Sequence, residues 1–207
     1  MELKQIVVGP LGTNCYMMMN PDTKKVILVD PGGSPEKISG KIHEMGGTLT
    51  AILLTHGHFD HILAVPELIR MYEDAKVYAY EEEEDLIINP SKNCSTMVGR
   101  SCMVEPDVYV KDGEKLTLED IHFEVIASPG HTKGSCCYYL PEEKILFSGD
   151  TIFAESVGRT DLPTGNMGQL VRSVRKLLEM LPDDTLVYPG HAHSTSIEHE
   201  KRYNPFA

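Results

Sequence analysis

Tryptophan is absent from the 207 residues, and the other aromatics are 9 Tyr and 5 Phe, so aliphatic side chains must fill most of the core. Long apolar runs are missing as well. The run at 51–54 falls far short of the ~20 residues of a membrane span, so no membrane partner is expected. Basic residues are scarce: 19 Lys and Arg stand against 31 Asp and Glu, a net charge of −12. Proteins that bind phosphate backbones present a basic face, so no nucleic-acid partner is expected either. No Cys-x-x-Cys pair occurs among Cys15, Cys94, Cys102, Cys136 and Cys137. In a strand, adjacent Cys136 and Cys137 point to opposite faces and do not bond each other. This pattern reads as reduced thiols in a cytoplasmic protein. The N-terminus lacks a basic segment followed by an apolar stretch, so no secretory leader is expected. Repeats and low-complexity linkers are absent, and one domain over 1–207 is expected. Hydrophobic residues at 41% and charged residues at 24% exclude a disordered chain. Histidine, by contrast, is plentiful, with nine residues.

Hydrophobic patterning predicts strands at 3–8, 15–19, 26–29, 51–54 and 76–80 in the first half. Asp30-Pro31-Gly32-Gly33 is a turn, and Ser34-Pro35 opens a helix with Ser34 as its N-cap and Gly46-Gly47 as its stop. A second helix is expected at 64–71. The acidic run 81–85 reads as the start of a solvated helix without chemistry of its own. Segment 89–105 reads either as a lid or as a packed irregular connection. Strands follow at 108–110, 115–118, 121–127, 135–140, 145–147 and 186–188, with helices at 166–180 and near 194–202. Two strand-rich halves, each supplying helices, predict two packed sheets with helices outside, an α/β (α+β) architecture.

The richest chemistry lies in Thr55-His56-Gly57-His58-Phe59-Asp60-His61, three imidazoles and a carboxylate directly after an apolar strand. These ligand types suit zinc, iron or manganese. In an extended loop, residues i and i+2 share a side, so His56 and His58 can reach one ion while Asp60 and His61 reach another. His131, Asp150 and His191 each follow an apolar strand and a small or turn-forming residue, which delivers them to a common rim. Together they make seven ligands, enough for two divalent ions. His56, His58 and His131 would hold one, Asp60, His61 and His191 the other, with Asp150 between. Zinc is the favoured ion, with iron or manganese as alternatives.

The ordered set His56-x-His58-x-Asp60-His61, His131, Asp150, His191 resembles the metallo-β-lactamase superfamily over essentially the whole chain. The resemblance implies an αββα sandwich of two mixed sheets, with the metals at one edge. A bridging Asp150 is unlike the true β-lactamase branch. Ser128-Pro129-Gly130-His131-Thr132, Gly149-Asp150, Gly158-Arg159-Thr160-Asp161 and Tyr188-Pro189-Gly190-His191 resemble the glyoxalase II group, the hydroxyacylglutathione hydrolases in their short bacterial form. The implied activity is hydrolysis of an acyl thioester such as S-D-lactoylglutathione by a metal-bridging hydroxide. Asp60, Asp150 and His58 would then be catalytic, and Asp30 and Thr55 would fix the orientation of the histidines.

Longer members of that group carry a C-terminal helical segment with basic residues for glutathione, whereas this chain runs only about 16 residues past His191. Lys201 and Arg202 near the C-terminus, with Lys133, Tyr139 and Arg159, are the substrate contacts expected in its place. His43, His122, His193 and His199 have no assigned role. The chain is expected to work as a monomer or homodimer. Persulfide dioxygenases are similar too, with Gly158–Asp161 in common and one iron on the positions of His56, His58, His131 and Asp150. A lactone or phosphoester hydrolase on the same site is the remaining alternative.

Overall fold

The computed structural model describes residues 1–207. Strands β1 (Glu2–Val8), β2 (Thr13–Met19), β3 (Lys25–Val29), β4 (Thr48–Leu54), β5 (Lys76–Tyr80) and β6 (Val108–Val110) form one sheet in that order. The first two pairings are antiparallel and those from β3 to β6 are parallel. The second sheet uses β7 (Lys115–Leu118), β8 (Ile121–Ala127), β9 (Cys136–Leu140) and β10 (Ile145–Gly149), then β13 (Leu186–Pro189) and β14 (Thr195–Ser196) beside β10. Between them in sequence, β11 (Ile152–Phe153) and β12 (Ser156–Val157) make a separate small hairpin. Strand β13 runs parallel to β10.

Helices α1 (Pro35–Glu44), α2 (Phe59–Ile62), α3 (Val65–Met71) and α4 (Glu84–Ile87) belong to the first half, and α5 (Met167–Met180) and α6 (Ile197–Tyr203) to the second. Three apolar layers define the packing. Ile38, Ile42, Val65 and Leu68 cover the outer face of the first sheet. Val174, Leu177, Leu178 and Ile197 cover the outer face of the second. Tyr16, Met18, Val29 and Leu53 meet Phe123, Val125, Tyr138 and Phe147 between the sheets. This is the expected αββα sandwich. Strand β2 is buried at every residue, as a strand covered on both faces must be. In the absence of Trp, Tyr16, Tyr138, Phe123 and Phe147 are the largest fully buried side chains, and all four sit in the layer between the sheets.

Two of these tyrosines also hold the edge where the parallel strands end. Tyr138 Oη donates to the Leu54 carbonyl at 3.1 Å, one residue before Thr55. Tyr16 Oη donates to the Pro189 carbonyl at 2.6 Å, two residues before His191. The backbone N–H of Cys136 bonds the Thr55 carbonyl at 2.8 Å and ties the two sheets together at the same edge.

Three expectations need correction or refinement. Ser34 does not cap α1: its backbone is left-handed (φ 56°), and its hydroxyl accepts the Gly9 N–H at 3.4 Å instead. The acidic run is not uniformly solvated, because Glu83, in the turn Glu81–Glu83 before α4, is 1% exposed. Segment 89–105 is anchored through buried Asn93, Cys94, Ser95, Cys102 and Val104, while 96–101 stand exposed. Asn93, fully buried, donates to the Ile87 and Cys102 carbonyls, and Ser95 Oγ accepts the Cys102 N–H. All five cysteines are free and buried, with Cys136 facing the inner layer and Cys137 the outer one. No helix is long and apolar enough to cross a membrane.

Candidate metal centre

Each parallel strand pair ends at the same edge, and the polar loops begin there. Strand β4 runs into Thr55-His56-Gly57-His58 and then α2, which carries Asp60 and His61. His131 follows β8, Asp150 follows β10 and His191 follows β13. The structure brings all seven side chains together. His56, His58 and His131 form one set of donor atoms within 4.8 Å of one another, and Asp60, His61 and His191 form another. A third group of His56, His61 and Asp150 joins the two. Asp150 reaches both sides, with Oδ1 at 3.4 Å from His61 Nε2 and Oδ2 at 3.5 Å from His131 Nε2 and 3.6 Å from His191 Nε2.

Neighbouring groups set the histidine tautomers. His61 Nδ1 lies 2.9 Å from Asp30 Oδ2, so it donates there and turns Nε2 inward. Asp30 also accepts the Thr55 N–H at 2.8 Å and the Thr55 hydroxyl at 2.6 Å. That hydroxyl, its proton committed, accepts from His56 Nδ1 at 3.2 Å and leaves His56 Nε2 bare. His131 Nδ1 donates to the Arg159 carbonyl at 2.7 Å, so His131 Nε2 is bare as well. The three imidazoles of the first set therefore converge nitrogen on nitrogen, at 2.9 Å from His58 Nδ1 to His131 Nε2 and 3.2 Å from His131 Nε2 to His56 Nε2.

The two bare nitrogens, His56 Nε2 and His131 Nε2, lie 3.2 Å apart and repel unless a cation lies between them. Four buried side-chain polar atoms in the chain lack a hydrogen-bond partner, and three belong here: His58 Nε2, His61 Nε2 and Asp150 Oδ1. His61 Nε2 and Asp150 Oδ1 face each other. Buried polar atoms left unpaired are expensive, and a shared cation satisfies both. The residues therefore fit a pair of divalent ions.

Charge in the two sets differs. Burial, aided by the neighbouring imidazoles, pushes His56 well below its usual range and His58 down to about 3. Burial works the same way on His61, but Asp150, Asp30 and Asp60 outweigh it and hold that imidazole well above its usual range. Burial is likewise outweighed at His191, where Asp60 and Asp150 raise the imidazole. Burial acts to raise the carboxyls of Asp60 and Asp150, yet the imidazoles around them keep both below the ordinary carboxylate range.

Glu83 is the residue the sequence concealed. Its Oε1 accepts the Gly57 N–H at 2.7 Å, and its Oε2 accepts the Thr132 hydroxyl at 3.0 Å and the Gly134 N–H at 2.9 Å. Gly57 lies between His56 and His58, and Thr132 follows His131. One carboxylate thus holds both loops of the first set. Burial pushes this carboxyl up to about 7 against the lowering effect of those three bonds. Nothing in the spacing of the acidic run separates Glu83 from its exposed neighbours. Gly190, in the motif that leads to His191, is required by the site as well, because a Cβ there would lie 2.3 Å from Asp150 Oδ1 and 2.6 Å from His61 Cε1.

The expected substrate contacts do not gather. Lys133 is 65% exposed and pairs with Glu82. Tyr139 is buried in the layer beneath α5. Lys201 and Arg202, both on α6, pair with Asp183 and Glu198. Only Arg159 lines the cavity of about 530 Å³ that opens over His58, Asp60, His131, Asp150 and His191. His193 is exposed, and His43, His122 and His199 lie outside the centre.

This fold and this side-chain set define a family. The Metallo-beta-lactamase superfamily model matches residues 8–191, and the chain belongs to that superfamily. It is 32% identical to the hydroxyacylglutathione hydrolase GloC of Haemophilus influenzae, over 100% of this chain and 98% of the relative. Among solved structures it is similar to BLEG-1 B3 metallo-beta-lactamase, with 39% identity, a TM-score of 0.92 and 99% coverage of both chains. It is similar to TTHA1623 in a di-iron-bound form, with 34% identity, a TM-score of 0.88 and coverage of 99% and 100%. ETHE1 from Myxococcus xanthus is 33% identical with a TM-score of 0.80, covering 99% of this chain and 84% of that one.

Proposed function

We propose that this chain is a dinuclear metal-dependent hydrolase that cleaves acyl thioesters, of which S-D-lactoylglutathione is one. The observation that carries the reading is Asp150, whose two oxygens reach the histidines of both donor sets. That arrangement suits two ions rather than one. His56, His58 and His131 would hold the first, Asp60, His61 and His191 the second, and Asp150 both. Such a pair supplies Lewis acidity to a thioester carbonyl and acidifies water toward neutrality. Asp60, kept ionised, would also accept a hydrogen bond from the attacking water and orient it. Asp30, Thr55, Glu83 and the Arg159 carbonyl hold the ligands before substrate arrives, so little reorganisation remains. Water and thioester give a carboxylic acid and a thiol. Similarity to GloC over the whole chain supports thioester chemistry. Zinc suits the imidazole and carboxylate set, and the di-iron form of TTHA1623 makes iron the competitor. Five buried free thiols fit a cytoplasmic location.

A second reading is kept because ETHE1 is 33% identical: one iron and dioxygen insertion into a persulfide. Asp150 sets the sequence apart from the β-lactamase branch, yet BLEG-1 is 39% identical, so β-lactams join the comparison. The test is metal content of the purified chain beside turnover of thioester, lactone, phosphodiester, β-lactam and persulfide. Two ions per chain with the thioester turned over fastest is the expected result. One iron per chain with oxygen consumed on persulfide overturns it.

A further inference from the structure

We propose that the chain selects acyl thioesters whose thiol arm is apolar and uncharged, received on Leu11, Met97 and Val98 at the rim of the metal cavity; this rests on the thioester reading above.

Three observations carry it. The first is exposure. Leu11 is 56% exposed, Met97 74% and Val98 42%, yet all three line one cavity together with the centre. Large apolar side chains grouped at the mouth of a polar site mark a surface that something covers. Phe59, Phe153 and Leu162 continue the apolar wall inward.

The second is how the rim is built. Met97 and Val98 lie in the short turn Ser95–Val98, bracketed by the left-handed residues Cys94 (φ 65°) and Gly99 (φ 69°). Asn93 and Ser95 lock that turn from beneath, and the Asn93 carbonyl accepts the Phe59 N–H at 2.8 Å at the start of α2. The apolar tip is thus anchored to the helix that carries Asp60 and His61.

The third is charge. Arg159 is the one cationic side chain, histidine aside, lining the cavity, and its Nε and Nη2 both donate to Asp161 at 2.7 Å. A glutathione arm carries two carboxylates, and the single guanidinium here already has two of its N–H groups turned to Asp161. A carboxylate desolvated without a partner is penalised, whereas an apolar arm is not. The nearest alternative lies across Val98, in a second cavity that contains Arg70 and Arg100. Arg70 is already paired with Glu67.

The experiment compares two thioesters with the same acyl group: S-D-lactoylglutathione and the D-lactoyl thioester of 2-phenylethanethiol. Both are assayed with the metal-loaded full chain, its Met97→Glu variant and its Arg100→Gln variant. The expected result is a kcat/KM at least about tenfold higher for the phenylethyl ester. Met97→Glu should shrink that ratio at least about fivefold, mainly through KM of the phenylethyl ester. A preference for the glutathione ester overturns the proposal, as does a ratio that Met97→Glu leaves unchanged. Loss of glutathione-ester turnover in Arg100→Gln, in a chain that prefers that ester, moves recognition to the neighbouring cavity. Hydrolysis of neither ester overturns the thioester reading itself, and the selectivity falls with it.

Discussion

His56 and His61 turn the same atom, Nε2, into the metal centre, but different chemistry holds each one. His56 leans on a threonine hydroxyl, and its partner His131 on a backbone carbonyl. His61 leans on the buried carboxylate of Asp30. The outward nitrogens of His56 and His131 are held by neutral groups, and Glu83 acts behind the ligands, on two backbone N–H groups and the Thr132 hydroxyl. The second set has a negative charge against the ligand itself. Burial accordingly lowers His56 and His58, while the surrounding carboxylates raise His61 and His191. The two donor sets are therefore oriented by unlike groups, yet they share Asp30, which holds His61 directly and His56 through the Thr55 hydroxyl, while Glu83 serves the first set alone.

Substitutions break that comparison most severely at the ligands. His58→Ala and Asp60→Ala should each cut thioester hydrolysis by at least ~10³-fold while far-UV circular dichroism stays native. Metal analysis should show the first variant losing the ion of the first set and the second variant that of the second. Full activity in either would remove the centre from the function. Asp30→Ala comes next. It leaves the Thr55 N–H, the Thr55 hydroxyl and His61 Nδ1 without their acceptor, at a cost of about 3 kcal/mol in urea unfolding. The second ion should be lost outright, because His61 loses its direct acceptor, and the first should weaken, because Thr55 no longer has Asp30 to hold it against His56.

Glu83→Gln is the mirror experiment. Three donors face two carboxylate oxygens, so a side-chain amide must turn its own N–H groups toward at least one of them. The expected cost is about 1–3 kcal/mol of stability and a ten- to hundredfold weaker first ion by competition with a chelator, with the second ion unaffected. Glu83 also has a pH signature. Its folded carboxyl is raised to about 7 from an ordinary 4.5, so the folded state binds the proton more tightly. The stability this contributes is present below about 4.5 and is lost as pH rises through about 7. Unfolding of the chelator-treated chain should show a downward slope in that window, at most ~1.4 kcal/mol per pH unit, and Glu83→Gln should flatten it. Arg159→Gln should have the smallest effect, within about 0.5 kcal/mol and with both ions retained, because His131 is held by the backbone carbonyl of residue 159.

The ligands were legible because strand ends announce themselves. Apolar runs stop, a small residue follows, and an imidazole or carboxylate comes next at 56, 131, 150 and 191. Asp30 was legible as a turn residue and, through the family resemblance, as a support for histidine. Both roles hold, since its backbone is left-handed (φ 51°) while its carboxylate bonds His61. Glu83 was illegible, since what singles it out is the meeting of two loops some fifty residues further along and twenty-six residues back. The expected substrate contacts failed for a related reason. Lys133, Lys201 and Arg202 have the right chemistry, but nearby acids hold them at the surface, and no local pattern reports where a side chain points. Hairpin β11–β12 and strand β14, only two residues per strand, are too short to carry a period.

Strand β13 lies inside the second sheet, flanked by β10 and β14, and it delivers His191. A ribosome therefore releases the His56–His61 cluster long before the strand that completes its surroundings exists. Under the two-ion reading, the second donor set, which needs His191, is completed later than the first and only after β13 has docked.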